Sequence, residues 1–477
     1  MWSIIGLGIV TLFIIFITHC FYKWNNPKCN GVLPPGSMGF PLIGETLQLI
    51  IPSRSIDLHP FIKTRIQRYG RLFRTSLVGW PVVVSADPDF NSFVLQQEGN
   101  SVELWYLGTF SNVFGMDGES RMSAVGSVHN YIRSKLLSKF GGESLKEVKE
   151  LVPQLEQMVH KTLRIWSTQE SIEVKHATAT MVFNFTAKQM FGFDYEKSSE
   201  QISDTFTNFL QSLMSFPLNI PGTRFHKCMK DKEKMLNMIK NILKEKLASP
   251  ETCQGDFLDE AIKDLRSEKF LTEDFIVMLS FGALFASFEA ISAALTLGLK
   301  LLSENPSVVE ELRAEHETIL RNRGSSDSAL TWDEYKSMTF TPQVINEILR
   351  MANVAPGILR KTLKDIQVNG YTIPAGWIIM IVTLALQLDP NAFKDPLVFN
   401  PWRWKDLDPI VISKNYMPFG GGMRQCPGGQ YSKLFMATFL HVLVTKYRWT
   451  KIKGGDIVRA PILGFGDGIH MKFSEKA

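Results

Sequence analysis

From Thr272 to Asn305 the chain runs without a proline and is apolar on most sides. As a helix this stretch would be about 50 Å long, enough to cross a large domain. A helix apolar all round has to be buried, either in protein or in a bilayer. Glu273, Asp274 and Glu289 lie in or beside it, and Glu289 would be costly in lipid. The expectation is a buried central helix with a large core built around it, not a second membrane span. The chain can supply that core, with 477 residues of which 45% are hydrophobic.

A different apolar run opens the chain. Trp2 to Tyr22 contains no Asp, Glu, Lys or Arg, and a bilayer core takes roughly 20 apolar residues in helix. A cleaved secretory signal would carry a basic leader and a small-x-small cleavage site, and neither is found. Residues 1–23 read as a membrane anchor. Lys23 and Lys28 follow the span and no basic side chain precedes it, which puts the body on the cytosolic face. Residues 24–45, with Leu33-Pro34-Pro35-Gly36, Gly39, Pro41 and Gly44, read as a stiff hinge, because proline fixes φ and removes a donor. Residues 46–477 show no repeat, low-complexity tract or linker and read as a single domain.

Within that body, 60–70 reads as a helix, and 71–77 with 80–85 as a hairpin around Gly79. The pattern from about 130 to 350 is mainly helical, broken by Pro217, Pro221 and Pro250. Strands return at Ile366–Val368, Tyr371–Ile373 and Ile378–Val382, then a helix at 427–446 and closing strands. The fold class is mainly α with small β-sheets (α+β), the β portions lying at either end of the body. A net charge of +5 with scattered basic residues argues against a nucleic-acid partner. Five cysteines without a CxxC pair argue against a disulfide framework or a cysteine-rich zinc site.

One of those cysteines stands in a distinctive place, Pro418-Phe419-Gly420-Gly421-Gly422-Met423-Arg424-Gln425-Cys426-Pro427-Gly428-Gly429. Consecutive glycines permit backbone geometries that side chains forbid. Such a loop can press against a flat ligand and aim one thiol at it. A helix is expected just after Cys426, with Pro427 in its first turn, and amide groups at a helix start stabilise a thiolate. Arg424 is close enough to pair with an acidic group on the same ligand. Upstream, Thr341-Pro342 is expected to open a helix on which Glu347 and Arg350 share a face. Pro401 and Arg403 follow within Phe399–Trp404.

Phe419, Gly422, Arg424, Cys426 and Gly428 match the F-x-x-G-x-R-x-C-x-G signature of the cytochrome P-450 superfamily. Glu347-x-x-Arg350, Pro356 with Arg360, and Pro401-x-Arg403 follow the superfamily's order. The chain resembles it along essentially its whole length. The wording of Leu33–Gly36, Phe399–Trp404 and Tyr416–Gly422 is similar to the plant clan that oxidises steroids and triterpenoids. The resemblance implies a P-450 fold with one long central helix over a heme b. Cys426 would be the axial iron ligand, and Phe419, Arg424 and Gly428 would lie against the heme. Arg360 would reach a propionate, as would His129 and Arg133, which follow Gly126 on a helix of their own. Glu347, Arg350 and Arg403 would form a structural triad.

The resemblance also implies electrons from NADPH through NADPH-cytochrome P-450 reductase, an apolar substrate, membrane lipid as a neighbour, and an endoplasmic reticulum location. The reaction would insert oxygen from O2 into a C–H bond of a triterpenoid or phytosterol. In Ala286–Ser292, which stands where the family has A/G-G-x-D/E-T-T/S, Glu289 matches the catalytic acid. The usual alcohol is replaced by Ala290. Ser287 is nearby, and Ser292 is expected to point elsewhere. Gln387 stands where relatives often carry His. The pocket is expected to draw on residues 103–115, Phe281, Phe285, Phe288, Ala290, Val354, Ile358 and Leu463. Two alternatives stay open: a heme-thiolate isomerase or dehydratase acting on an already oxidised lipid without reductase, and a sterol-binding membrane protein without heme.

Overall fold

The long apolar stretch forms one continuous helix, Glu273–Ser303, and the body is built around it. Thr272 Oγ1 accepts from the Phe275 N–H at 3.1 Å. Glu273 and Asp274 in the first turn and Lys300 in the last complement the helix dipole. Every side chain from Ile291 to Leu299 is buried. The helices Val174–Phe191, Arg224–Ala248, Phe340–Ala352 and Gly429–Lys446 pack around it. A Cβ on Gly298 would lie 2.8 Å from Ile348 Cδ1, so glycine permits the close crossing with Phe340–Ala352. This computed structural model describes residues 2–114, 126–147, 151–193, single positions between 205 and 215, 217–249, 255–265, 267–323, 328–355, 357–460 and 462–476. Pro250 and Pro356 lie outside the described residues, while Pro217 and Pro221 precede the helix Arg224–Ala248 as breakers.

The two β portions read at opposite ends of the body meet in one five-stranded sheet. Its order is Leu72–Leu77, Trp80–Ser85, Ile378–Ile381, Ile358–Thr362, Val102–Leu104. The expected hairpin forms, with Leu77 opposite Trp80, and Trp80–Ser85 then runs parallel to Ile378–Ile381. All four residues of Ile378–Ile381 are buried, which suits an apolar run without alternation. A three-stranded sheet joins Ile172–Glu173, Ile469–Glu475 and Tyr447–Gly454.

The helix Trp2–Asn25 carries a 21-residue apolar stretch of mean hydropathy 2.1, none of it buried in the body. It is long and apolar enough to anchor the chain in a membrane. At its end the Trp24 indole N–H donates to the carbonyls of Met38 (3.2 Å) and Gly39 (3.1 Å). The proline-rich segment then lies on the sheet. A Cβ at Gly36 would sit 2.0 Å from the Arg74 carbonyl oxygen.

Two helix starts differ from expectation. The helix Phe340–Ala352 includes Thr341 instead of being capped by it. Glu315, from the helix Pro306–Arg321, accepts the N–H groups of Thr339 (2.5 Å), Phe340 (2.7 Å) and Thr341 (2.9 Å). A carboxylate from a neighbouring helix takes over the capping role. The helix Gly429–Lys446 starts after Gly428, leaving Pro427 ahead of its first turn.

Candidate active site

The glycines of the cysteine loop have steric work to do. Gly420 and Gly422 hold φ of 68° and 66°, the left-handed region that favours glycine. A Cβ on Gly422 would lie 2.1 Å from the Leu95 carbonyl oxygen, so the loop is pressed onto the last turn of the helix Pro88–Gln96. The turn is closed by Cys426 N–H donating to the Phe419 carbonyl at 2.9 Å and Gln425 N–H to that of Gly422 at 3.1 Å. A Cβ on Gly429 would lie 3.3 Å from the Phe419 ring. The Cys426 side chain is accessible, yet burial pushes its thiol pKa up. Both hold together when a side chain lines a concavity. The Gly428 N–H and the charge of Arg133 pull the other way. Arg133, on the helix Ser127–Phe140, donates to the Gln425 carbonyl at 2.7 Å. His129 lies one turn earlier and is half-buried.

Beside the loop, Arg360 and Arg424 converge on one carboxylate, Glu98. Arg360 Nε lies 2.5 Å from Glu98 Oε2 and Arg424 Nε 2.7 Å from Oε1. Glu98 and Arg360 are almost wholly enclosed, and Arg424 is 13% exposed. Burial pushes the Arg360 guanidinium pKa down, opposed by the charge of Glu98. Sequence reasoning expected both arginines near an acidic ligand and missed Glu98, which no local motif marks.

The triad of Glu347, Arg350 and Arg403 assembles behind the loop. Arg350 grips Glu347 with Nε (2.9 Å) and Nη2 (2.8 Å), and Arg403 Nε lies 3.0 Å from the same carboxylate. The Trp404 indole N–H (3.0 Å) and the Asn400 N–H (3.1 Å) complete the shell. Gln387 acquires a structural role here: its amide donates to the Arg350 carbonyl at 2.7 Å and Arg350 Nη1 donates to the Gln387 carbonyl at 2.8 Å. Arg459, also unread from sequence, donates to the terminal carbonyls of Met351 (2.9 Å) and Ala352 (3.1 Å). Its burial lowers the guanidinium pKa to about 10. Capping of that helix end by a cation satisfies carbonyls that have no partner in the helix.

On the central helix, Glu289 pairs with Lys175 of the helix Val174–Phe191 at 3.0 Å. Lys175 Nζ also donates to Ser292 Oγ at 2.9 Å. Ser292, three residues from Glu289, shares a face with it and Lys175 bridges the two, so buried Ser292 points away from the exposed Ala290 position. Ser287 instead donates to the Leu284 carbonyl at 2.7 Å. Ala286 and Ala290, one turn apart, are accessible while Leu284, Phe288 and Ile291 are buried.

The expected pocket residues divide. Phe285, Val354 and Ile358 are partly accessible and Ala290 is exposed. Phe281 and Phe288 are fully buried, which corrects their placement on an open wall. They pack edge-on or tilted against Phe206, at 5.9 and 5.7 Å between ring centres, and aromatic packing of this kind fills a core. Leu463 is likewise buried, at 4% exposure. Phe114 bridges the two groups, 5.6 Å from Phe281 and 5.0 Å from Phe285.

This donor set suits a heme. A thiol in a concavity can ligate iron, guanidinium groups can meet two carboxylates, and small residues on the central helix leave room over a flat ring. Among the described residues no cluster of His, Cys, Asp and Glu could hold a different metal. The family model for cytochrome P450 matches residues 34–468. Over the full length of both chains, the protein is 55% identical to beta-amyrin 16-alpha-hydroxylase CYP87D16 of Maesa lanceolata. It is 54% identical over 476 residues to cucurbitadienol 11-hydroxylase of Siraitia grosvenorii, again covering both chains fully. Among solved structures, a retinoic acid-bound cyanobacterial CYP120A1 superposes with a TM-score of 0.82 at 24% identity, covering 94% of this chain and 100% of that one.

Proposed function

The chain belongs to the cytochrome P450 family, and we propose that it is a monooxygenase that hydroxylates a C–H bond on a triterpenoid skeleton. The carrying observation is full-length identity of 55% and 54% to two hydroxylases named for amyrin and cucurbitadienol. Neither name supports an isomerase or dehydratase. The enzyme uses heme and NADPH-derived electrons delivered by a redox partner, and it acts on a hydrophobic substrate. NADPH-cytochrome P-450 reductase is the partner we assign. Heme, when bound, supplies O2 activation, helped by the electron-donating thiolate.

The chain's own residues have distinct tasks. Cys426 would ligate the heme iron as a thiolate, with the Gly428 N–H and the charge of Arg133 favouring that form against the burial that raises its pKa. Arg360, Arg424, Arg133 and His129 would hold the two carboxylates of the heme. Phe419 and Gly428 would lie against its ring. Glu289 carries a proton toward the reacting oxygen, with its carboxylate held by Lys175. Phe285, Ala290, Val354 and Ile358 touch the substrate, offering it an apolar wall. Glu347, Arg350 and Arg403 maintain the fold behind the heme.

Residues 1–23 anchor the chain, 24–45 set its angle, and 46–477 form one catalytic domain. The anchor lies in the endoplasmic reticulum membrane with the body in the cytosol, supported by Lys23 and Lys28 after the span. Protease digestion of sealed microsomes checks this: the body is expected to be cleaved without detergent, and protection of the body would reverse the orientation. The activity is tested by co-expression with the reductase in a yeast that makes triterpene skeletons. A product one oxygen atom heavier, dependent on reductase, is expected. Turnover of a lipid hydroperoxide without NADPH or reductase would sink the monooxygenase reading.

A further inference from the structure

Glu98 is brought to the arginines by three separate features of the backbone. It stands in the tight turn between the helix Pro88–Gln96 and the strand Val102–Leu104. Gly99, at φ 79°, allows that turn, and its N–H donates to the Val102 carbonyl at 2.8 Å. Leu104 pairs with Arg360 across the sheet, and the Leu104 N–H donates to Glu98 Oε1 at 3.1 Å. The carboxylate is thereby fixed opposite Arg360. The third feature is the contact of Gly422 with Leu95, which delivers Arg424 to the same carboxylate from the cysteine loop.

Two guanidinium groups held side by side repel one another, and enclosure strengthens that repulsion. A carboxylate between them removes the conflict, holding Arg424 by a charge-assisted hydrogen bond and Arg360 by a close ion pair. It also leaves the trio with a single net positive charge. With Arg133 nearby, the rim then carries two, which matches a ligand bearing two carboxylates. We propose that Glu98 is a positioning residue for the heme: it holds Arg360 and Arg424 in register for a propionate and sets the negative charge felt at the iron. The proposal rests on the heme reading above.

The experiment uses the full-length holoenzyme with Glu98→Gln and Glu98→Asp variants. The carbon monoxide difference spectrum of the wild type comes first. A wild type without the thiolate-shifted band would overturn the heme reading itself, whatever the variants do. With that band present, two readouts follow: heme transfer to excess apomyoglobin, and the iron midpoint potential. Glu98→Gln keeps the side-chain shape but loses the charge. It is expected to release heme about tenfold faster, the size of one weakened charge-assisted contact, and to shift the potential upward. Glu98→Asp is expected to keep the wild-type potential while losing heme somewhat faster. Heme loss from Glu98→Gln that is unchanged or slower, or an unshifted potential, overturns the proposal. If Glu98→Gln yields no holoenzyme, Glu98→Asp decides: a wild-type potential together with faster heme loss supports the proposal, and heme loss no faster than wild type, or a shifted potential, overturns it.

Discussion

The two walls of the site are built by opposite means. On the cysteine side, backbone geometry does the work. Glycines at positive φ press the loop onto Leu95, and each charged group is locked to a named partner at 2.5–3.0 Å. On the central-helix side, the residues facing open space are small and apolar, Ala286 and Ala290. The polar group there, Glu289, is held by one flexible lysine. A ligand that must never leave is met by rigid backbone and multiple ion pairs. A proton that must come and go is met by a single movable contact.

The sharpest break in that comparison is Cys426→Ser. An alkoxide does not replace a thiolate as a soft ligand to iron, so the thiolate-shifted carbon monoxide band and all hydroxylase turnover are expected to vanish. The loop is fixed by backbone hydrogen bonds that the substitution leaves alone, so the apoprotein is expected to keep its thermal unfolding midpoint. Retained turnover would mean that the rigid wall is scaffolding and not ligand.

The movable wall is next. Glu289→Gln keeps the shape and removes the titratable group. General acid–base catalysis contributes about 10²–10⁴-fold, and turnover is expected to fall by about 10²-fold with little change in substrate affinity. Lys175→Met tests the tether separately. If Glu289 serves only as a salt-bridge partner, the two variants are expected to lose activity equally. If it moves a proton, Lys175→Met retains most activity and changes the pH profile, because the carboxylate survives.

What the sequence revealed follows from how far apart the interacting residues lie. The cysteine loop and the Glu347–Arg350 pair were legible because spacing within one turn or one helix carries their geometry. Arg403 was reached only through resemblance. Glu98 stayed hidden because its partner Arg424 is 326 residues away. Lys175 stayed hidden for the same reason, 114 residues from Glu289, and with it the bridge to Ser292. The parallel pairing of Trp80–Ser85 with Ile378–Ile381 was equally unavailable, since no local pattern records which strands meet. Phe281 and Phe288 were misplaced because an apolar side chain looks the same in a core as in a pocket.

The rigid wall has a further brace that responds to acid. His441, on the helix that follows the cysteine loop, lies 3.0 Å from His316 Nδ1, and His316 Nε2 lies 3.0 Å from Thr341 Oγ1. Glu315 also binds Thr341, while Glu156 (3.8 Å) and Arg323 (3.4 Å) face His441. His160 and Lys446 add positive charge nearby. Burial lowers the pKa of His316 to about 4 and that of His441 to about 2. Both rings are neutral in the folded protein at pH 7. As pH falls below about 6.5 the unfolded chain binds protons first, so stability is present above that value and lost below it. Between pH 7 and 5 the loss is about 2 kcal/mol per histidine. Thermal unfolding of the wild type is expected to fall steeply over that range, and a His316→Leu/His441→Leu double variant to show a flatter slope.

The smallest expected effect is at Ala290, where the two walls face each other. Ala290 is accessible, so a larger side chain need not overpack a core. Ala290→Thr restores an alcohol one residue from Glu289 and is expected to raise the fraction of NADPH that ends in hydroxylated product by a few-fold, with substrate affinity nearly unchanged. Product formed per NADPH consumed is the measurement, because it separates proton delivery from binding. An unchanged ratio would assign proton delivery wholly to the Glu289–Lys175–Ser292 group. In that case Ser292, one helical face with Glu289 and bridged by Lys175, already does what the missing alcohol would do. Ser292→Ala in the wild-type background is then expected to lower the ratio, and in the Ala290→Thr background to leave it high, because either hydroxyl is redundant only while the other is present.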